Sequence, residues 1–125
     1  MKTNMVGWFE IPVRDMGRAK KFYEKVFDIS IAIHELGDFI MGWFPMSPEK
    51  PGATGSLAQH NRYTLSETHG PLIYFTCSDV SQELARVVEA GGKVLQQKTE
   101  IGGGHGFMGL MKDSEGNRIA LHSNE

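Results

Sequence analysis

The sequence predicts a single α+β domain over residues 1–125, in which two βαβββ modules form a curved mixed sheet with a cup-shaped cavity. The order of strand, helix and three strands occurs twice along the chain. A constant offset relates the two occurrences, because it carries Asp15 onto Asp79, Trp8 onto Leu72 and Leu57 onto Leu121. Each half alone is too short to bury its helix and its sheet, so the halves are expected to share one sheet. Module one is placed at residues 5–60, a linker at 61–70 and module two at 71–125.

The first strand is predicted from the alternation of residues 6–13. Phe9, Ile11 and Val13 fall on one face, and Trp8 and Glu10 fall on the other. This is the period of a half-buried strand. If the first face packs against the helices, the second face points into the cup.

A capping aspartate and apolar residues at helical spacing predict the helix of each module. Asp15 precedes the apolar positions 19, 22, 23, 26 and 27, and Asp79 precedes positions 84, 87 and 88. The carboxylate of such a residue accepts hydrogen bonds from the first turn of a helix, and the Gly91–Gly92 pair predicts where the second helix ends. The other strands are predicted at 29–35, 39–44 and 52–60 in module one and at 72–77, 93–100, 107–112 and 117–123 in module two.

Composition excludes several classes of protein. The formal net charge is −2, without the basic excess typical of proteins that bind nucleic acid or anionic membranes. Cys77 is the single cysteine, so there is no internal disulfide and no multi-cysteine zinc site. No apolar stretch reaches the length of a membrane span, and no secretory run opens the chain, so a cytoplasmic protein is expected.

Three segments carry a resemblance to a known family. They are Trp8–Asp15 leading into Ala19–Tyr23, Gly70–Phe75 leading into Asp79, and Asp113–Ile119. In this order they resemble the vicinal oxygen chelate superfamily, which includes glyoxalase I, bleomycin-resistance proteins and extradiol dioxygenases. The resemblance covers nearly the whole chain and implies paired βαβββ modules, a small-molecule ligand and a homodimer.

The metalloenzymes of this family hold a divalent metal in the cup through His, Glu or Gln on the first and last strands of each module. The matching positions here are Trp8, Ser56, Leu72 and Ala120. Indole, isobutyl and methyl groups do not ligate metals, and a neutral hydroxyl is a poor ligand. The family's usual metal site is therefore predicted to be absent, and no cofactor is expected. Isomerisation of the glyoxalase I type and extradiol cleavage are not expected either.

The remaining side chains of the cup are candidates for chemistry. Glu10 can act as a general base, with Tyr74 or His122 as the acid. Alternatively, Glu10 is bonded to Arg118 or a histidine, and Tyr74 is only an aromatic wall. The candidate ligand-binding residues are Trp8, Glu10, Trp43, Ser56, Leu72, Tyr74, His105, Ala120 and His122.

The other histidines and the cysteine have more than one interpretation. His60 and His122 lie near the last-strand level of each module, so with Glu10 they can form a displaced site for zinc, nickel, iron or manganese. The glycine-rich segment 102–106 is either a lid that carries His105 over the ligand or a plain hairpin connection. His34 and His69 are expected in turns or at the surface, and Cys77 is expected to be an inert, buried thiol.

Two functions follow as hypotheses. The first is a metal-independent protein of the bleomycin-resistance kind that binds a small aromatic or planar molecule between aromatic walls. The alternative is a glyoxalase-related enzyme, of lyase, isomerase or dioxygenase-like type, that uses Glu10 in acid–base catalysis or a displaced metal.

Overall fold

The computed structural model describes residues 6, 8–61, 63, 65–66 and 69–125. Eight strands and two helices are found in this part of the chain. In chain order they are β1 (Phe9–Pro12), α1 (Met16–Phe27), β2 (Ala32–Leu36), β3 (Phe39–Trp43), β4 (Gly55–Gln59), β5 (Tyr74–Thr76), α2 (Val80–Ala90), β6 (Lys93–Glu100), β7 (Phe107–Lys112) and β8 (Arg118–Ser123).

The strands form two four-stranded mixed sheets with the same topology. The first has the order β1-β4-β3-β2, and the second has the order β5-β8-β7-β6. β1 runs parallel to β4 and β5 runs parallel to β8, and the other neighbouring pairs are antiparallel. The α+β class and the repeated βαβββ module are thus confirmed. Among the described residues the strands form two sheets where one shared sheet was expected, since no ladder joins β1 to β5.

Both predicted helix caps are confirmed. Oδ1 of Asp15 accepts a hydrogen bond of 3.0 Å from the backbone N–H of Arg18, and Oδ1 of Asp79 accepts one of 3.0 Å from that of Ser81. The second helix ends at Gly91, whose φ of 105° lies in the left-handed region that glycine adopts without strain.

The predicted parity of β1 is also confirmed. Ile11 and Val13 are almost fully buried, whereas Trp8 and Glu10 on the opposite face are exposed. The apolar face joins one core with both helices, where the ring of Phe9 packs edge-on against that of Phe75 with centroids 5.7 Å apart. The fully buried side chains of this core include Phe22, Tyr23, Val26, Leu57, Val80, Val87, Met111 and Leu121.

Some strands are shorter than predicted, because a strand extends only as far as its pairing with a neighbouring strand. β1 begins at Phe9, the residue that pairs with Gly55 at the start of β4. A Cβ at residue 55 would lie 2.7 Å from the ring of Phe9, so a glycine is needed at the position that pairs with Phe9. The edge strand β5 is reduced to Tyr74–Thr76, whereas β6 and β7 have the predicted bounds.

A polar network joins α1 to the turn between β7 and β8. The buried hydroxyl of Tyr23 donates a hydrogen bond of 2.7 Å to Oδ2 of Asp113. Burial first, and then the negative charge of Asp113, raise the pKa of Tyr23 well above its usual range. The amide of Asn117 donates to the carbonyl of Pro12 at 2.7 Å. Residues far apart in sequence thereby fix the two halves to each other.

Glu115 is the second anchor of this network. Its buried carboxylate accepts hydrogen bonds of 2.6 and 3.0 Å from Arg18 and of 2.8 Å each from the backbone N–H groups of Arg14 and Asp15. Burial acts to raise the pKa of Glu115, but these donors outweigh it and hold the pKa below its ordinary value.

No helix in the described ranges is both long enough and apolar enough to span a membrane.

Candidate functional site

The outer face of the first sheet carries the clearest cluster of candidate residues. Glu10 of β1, Ser56 of β4 and Trp43 of β3 lie side by side, because Ser56 is the register partner of both neighbours. The ring of Trp8 stands edge-on to that of Trp43 with centroids 5.7 Å apart. Trp8 is 38% exposed and Ser56 is 0% exposed, so the cluster extends from solvent to the sheet surface.

Two polar atoms of this cluster are buried without a hydrogen-bond partner among the described residues. They are Nε1 of Trp43 and Oγ of Ser56. Buried polar groups in folded proteins nearly always have partners, and an unpaired one costs about 1–3 kcal/mol. Trp43 and Ser56 are register partners on adjacent strands, so both atoms belong to the same part of the sheet face.

Glu10 has a partner that the sequence did not suggest. The hydroxyl of Tyr63 donates a hydrogen bond of 2.6 Å to Oε1 of Glu10. Tyr63 also lies near the rings of Phe39 and His60, which stack on each other with centroids 4.1 Å apart. The segment after β4 therefore returns to the outer face of the first sheet, although its polar composition indicated only a linker.

His34 adds a ring to the same face. It was expected in a turn or at the surface, but it lies within β2, half-buried, with its ring centroid 4.2 Å from that of Trp43. The contact with Trp43 was not predicted, because the strand register places residue 34 diagonally across from Trp43, and no local sequence signal gives a register.

The candidates of module two lie on the second sheet. Tyr74 is the register partner of Ala120 and is 52% exposed, whereas Ala120 is completely buried. Leu72 is half-buried just before β5. Among the described residues, none of these three side chains is bonded to Glu10 or to either tryptophan.

His122 and His105 are brought together by the connection between β6 and β7. Nε2 of His122 lies 2.7 Å from the backbone carbonyl of His105. A carbonyl only accepts, so Nε2 of His122 carries the proton. Backbone bonds from Ile101 to Gly106 and from His105 to Gly102 close the loop as a hairpin connection. The arrangement holds the loop against β8.

The cavities separate the three catalytic candidates further. Glu10 and Arg118 line a crevice of about 320 Å³ between β1 and the second sheet. Tyr74 lines a different cavity of about 600 Å³, and His122 is held by the His105 carbonyl. Trp8 forms a wall of a third cavity of about 410 Å³ along the segment 45–54.

The side chains do not fit a divalent metal. The family's ligand positions hold the indole of Trp8, the hydroxyl of Ser56 and the alkyl groups of Leu72 and Ala120. Within the described ranges, no three His, Cys, Asp or Glu residues are grouped closely enough to hold an ion. The displaced site is not assembled there, since the ring of His60 stacks on Phe39 and the Nε2 proton of His122 is engaged.

Cys77 is a free, half-buried thiol on the helix-facing side of β5. Burial first, and then the nearby carboxylate of Glu83, raise the pKa of Cys77 from 9.0 to about 12. The thiolate is the reactive form of cysteine, so this environment suits an inert thiol.

The comparisons with known proteins agree with this architecture. The family model described as the Glyoxalase/Bleomycin resistance protein/Dioxygenase superfamily matches residues 5–121. No curated protein matches the chain significantly.

Among solved structures, UcmS2 is similar with a TM-score of 0.71 at 18% identity, covering 98% of both chains. A glyoxalase/bleomycin resistance protein from Albidiferax ferrireducens T118 gives 0.69 at 17% identity, covering 96% of this chain and 98% of that one. The V278E mutant of glyoxalase I from Zea mays gives 0.74 at 20% identity, covering 94% of this chain and 45% of that one. The chain thus spans about half the length of the maize enzyme, and at these identities the likeness concerns the fold.

Proposed function

Because the chain belongs to the glyoxalase/bleomycin resistance protein/dioxygenase superfamily, we propose that it binds a small, planar aromatic molecule in the cup, on the outer face of its first sheet, without the family's usual divalent metal. The observation that carries this proposal is that two buried polar atoms, Nε1 of Trp43 and Oγ of Ser56, have no hydrogen-bond partner among the residues that the structure describes. A ligand that bonds to both would remove the cost of leaving them unpaired.

The aromatic surroundings support a flat ligand. The indole rings of Trp8 and Trp43 stand edge-on to each other, with an angle of 75° between their planes. Aromatic pairs in offset or edge-to-face contact gain about 0.5–1.5 kcal/mol beyond the area that they bury. Trp8 is partly exposed beside its own cavity, so its side chain has room to move aside when a ligand enters.

The polar groups suggest what the ligand carries. The indole N–H of Trp43 is only a donor, so it requires an acceptor atom on the ligand. The hydroxyl of Ser56 takes either role. Glu10 is the next residue across the sheet and favours a cationic or hydrogen-bond-donating substituent. The ligand class is therefore a planar heteroaromatic with a ring acceptor and a cationic or donor side group.

Intrinsic fluorescence provides the test, because both tryptophans of the chain lie in this cluster. The probe is an aminomethylquinoline, which has a ring acceptor and an ammonium group. Its controls are the aminomethylnaphthalene without the acceptor and the methylquinoline without the ammonium group. We expect saturable quenching by the first probe and an affinity about three- to tenfold lower for each control, the value of one hydrogen bond.

Matched variants locate the binding. Ser56→Ala should lower the affinity of the aminomethylquinoline, and Ser78→Ala, which changes an exposed serine outside the cluster, should not. Equal affinities for all three probes, or equal effects of the two serine variants, would overturn the proposal.

A second candidate function is a metal-independent enzyme of glyoxalase-related type. The observation in its favour is the 2.6 Å hydrogen bond between Tyr63 and Glu10, which pairs a carboxylate with a phenol. In this scheme Glu10 is the general base, and Tyr63, 2.6 Å away, is its acid–base partner in place of Tyr74 and His122, which have other surroundings. Loss of a demonstrated turnover in Glu10→Gln, by the 10²–10⁴-fold typical of general acid–base catalysis, would favour it over simple binding.

We also propose that the protein is a cytoplasmic homodimer, as the family resemblance implies. Light scattering coupled to size exclusion tests the dimer, and fractionation of cells that express the tagged chain tests the location. A monomer at all concentrations would overturn the first part.

A further inference from the structure

A second cavity lies on the other side of β1 from the proposed ligand site. It has a volume of about 600 Å³ and opens between β1, β5, the end of α1 and the segment 45–54. Phe9 faces this cavity, whereas Trp8 and Glu10 belong to the opposite face of the same strand. Neither Trp43 nor Ser56 lines this cavity, although it shares part of the segment 45–54 with the cavity beside Trp8.

Aromatic rings form the floor of this cavity. Phe75 is their centre, with ring centroids 4.8 Å from Phe27, 5.4 Å from Phe44 and 5.7 Å from Phe9. Phe9, Phe27 and Phe75 are only partly buried, although they pack on the core. These rings keep apolar surface accessible inside a concave space, where a ligand would cover it.

No charged side chain is found among the described residues that line the cavity. The hydroxyl of Thr54 is already bonded to the carbonyl of Pro45 at 2.9 Å. Polar contact at the rim is thereby reduced to the hydroxyls of Tyr74 and Thr76, both in exposed residues of β5. A charged ligand would lose its hydration here without gaining a counter-charge, which disfavours it.

We propose that this cavity binds an uncharged, largely apolar molecule of one to three fused or linked rings, with at most one hydroxyl or carbonyl group directed to Tyr74 or Thr76. The volume lies within the range of about 300–1,000 Å³ that is typical of small-molecule sites. This site is additional to the proposed function, and neither depends on the other.

The uncharged fluorescent probe N-phenyl-1-naphthylamine tests the proposal. We expect saturable binding at one site per chain, and an affinity at least tenfold lower for the anilinonaphthalene sulfonate of similar shape. Two variants change the lining of the cavity at exposed positions, Ala53→Phe by filling it and Thr76→Arg by adding a charge. Each should lower the affinity of the uncharged probe at least tenfold.

Two control variants keep the result unambiguous. Val88→Arg alters an exposed apolar residue of α2 outside the cavity and should leave the affinity unchanged. Trp43→Phe should also leave it unchanged, which separates this site from the proposed function. The proposal is overturned if Ala53→Phe and Thr76→Arg bind the probe as well as the parent chain does. It is equally overturned if binding weakens as the protein concentration rises and a dimer forms, since a second copy would then cover the cavity.

Discussion

The hydroxyl of Tyr63 donates a hydrogen bond of 2.6 Å to the carboxylate of Glu10. This contact joins β1 to the segment after β4 on the face where Trp43 and Ser56 lie. Glu10 therefore has a structural role as a hydrogen-bond acceptor, and this role does not require that the protein be an enzyme.

The first prediction concerns Glu10→Gln. An amide oxygen still accepts from Tyr63, so the fold should be retained, while the charge near the ligand is lost. For a binding protein we expect about a tenfold loss of affinity for the aminomethylquinoline and none for the methylquinoline. The measurement is a fluorescence titration of both probes. Equal losses for the two probes would show that Glu10 does not face the ammonium group.

The second prediction concerns the unpaired hydroxyl of Ser56. In the ligand-free protein Ser56→Ala removes a buried polar atom that has no partner in the described structure. We therefore expect unchanged or slightly increased stability, by up to about 1–3 kcal/mol, measured by urea denaturation. The same variant should bind the ligand less tightly. Clear destabilisation would indicate that the hydroxyl already has a partner in the free protein.

The third prediction concerns Tyr23. Tyr23→Phe removes a buried donor from Asp113, which keeps its bonds from the backbone N–H groups of Glu115 and Asn117 and from the Asn117 amide. We expect the free energy of unfolding to fall by about 1–3 kcal/mol. Tyr74→Phe, at an exposed tyrosine, is the matched control and should change it by less than about 0.5 kcal/mol. Equal effects of the two variants would contradict a role for the Tyr23–Asp113 bond in joining the halves.

The fourth prediction concerns acid stability. The folded pKa of Glu115 is below its ordinary value because the donors from Arg18, Asp15 and Arg14 outweigh burial. The unfolded chain therefore binds this proton first as the pH falls, and the stabilisation is complete above the unfolded pKa. We expect the free energy of unfolding to decline as the pH falls from about 5, through the ordinary glutamate pKa near 4.3, to the lowered value.

Glu115→Gln isolates this contribution. The variant should be less stable at neutral pH and should lose part of the decline below about pH 5. Another part should remain, because the pKa of Asp79 is lowered to about 2 by hydrogen bonds from Ser81 and Lys98. An unchanged slope in Glu115→Gln would mean that Glu115 does not titrate with folding.

The fifth prediction concerns Cys77. With its pKa raised from 9.0 to about 12, the thiolate fraction at pH 8 is roughly a thousandfold below that of an ordinary cysteine. Reaction with a disulfide reagent should therefore be slow in the native protein and fast in guanidinium, as followed by absorbance. Fast native reaction would contradict the environment described for this thiol.

The local elements could be predicted from the sequence, and long-range contacts could not. Residues close in sequence determine the aspartate caps, the alternation around Ile11 and the bounds of β6. Short-range patterns in the sequence therefore predict these features. The contacts of Tyr63 with Glu10 and of His34 with Trp43 depend on strand register and on the path of a connecting segment. A repeat with constant offset indicates two modules, but it does not give the distance between their first strands. For that reason the sequence analysis placed Glu10, Tyr74 and His122 in one cup, whereas in the structure each of them contacts a different set of residues.

The indole N–H of Trp43 provides the most direct test of the proposed ligand site. The chain has two tryptophans, so a ¹H–¹⁵N spectrum contains two indole signals, which Trp8→Phe assigns. We expect the Trp43 signal to move downfield as aminomethylquinoline is added, and to saturate at the affinity found by fluorescence, because this donor gains its acceptor. Binding that leaves the Trp43 signal in place would contradict the account.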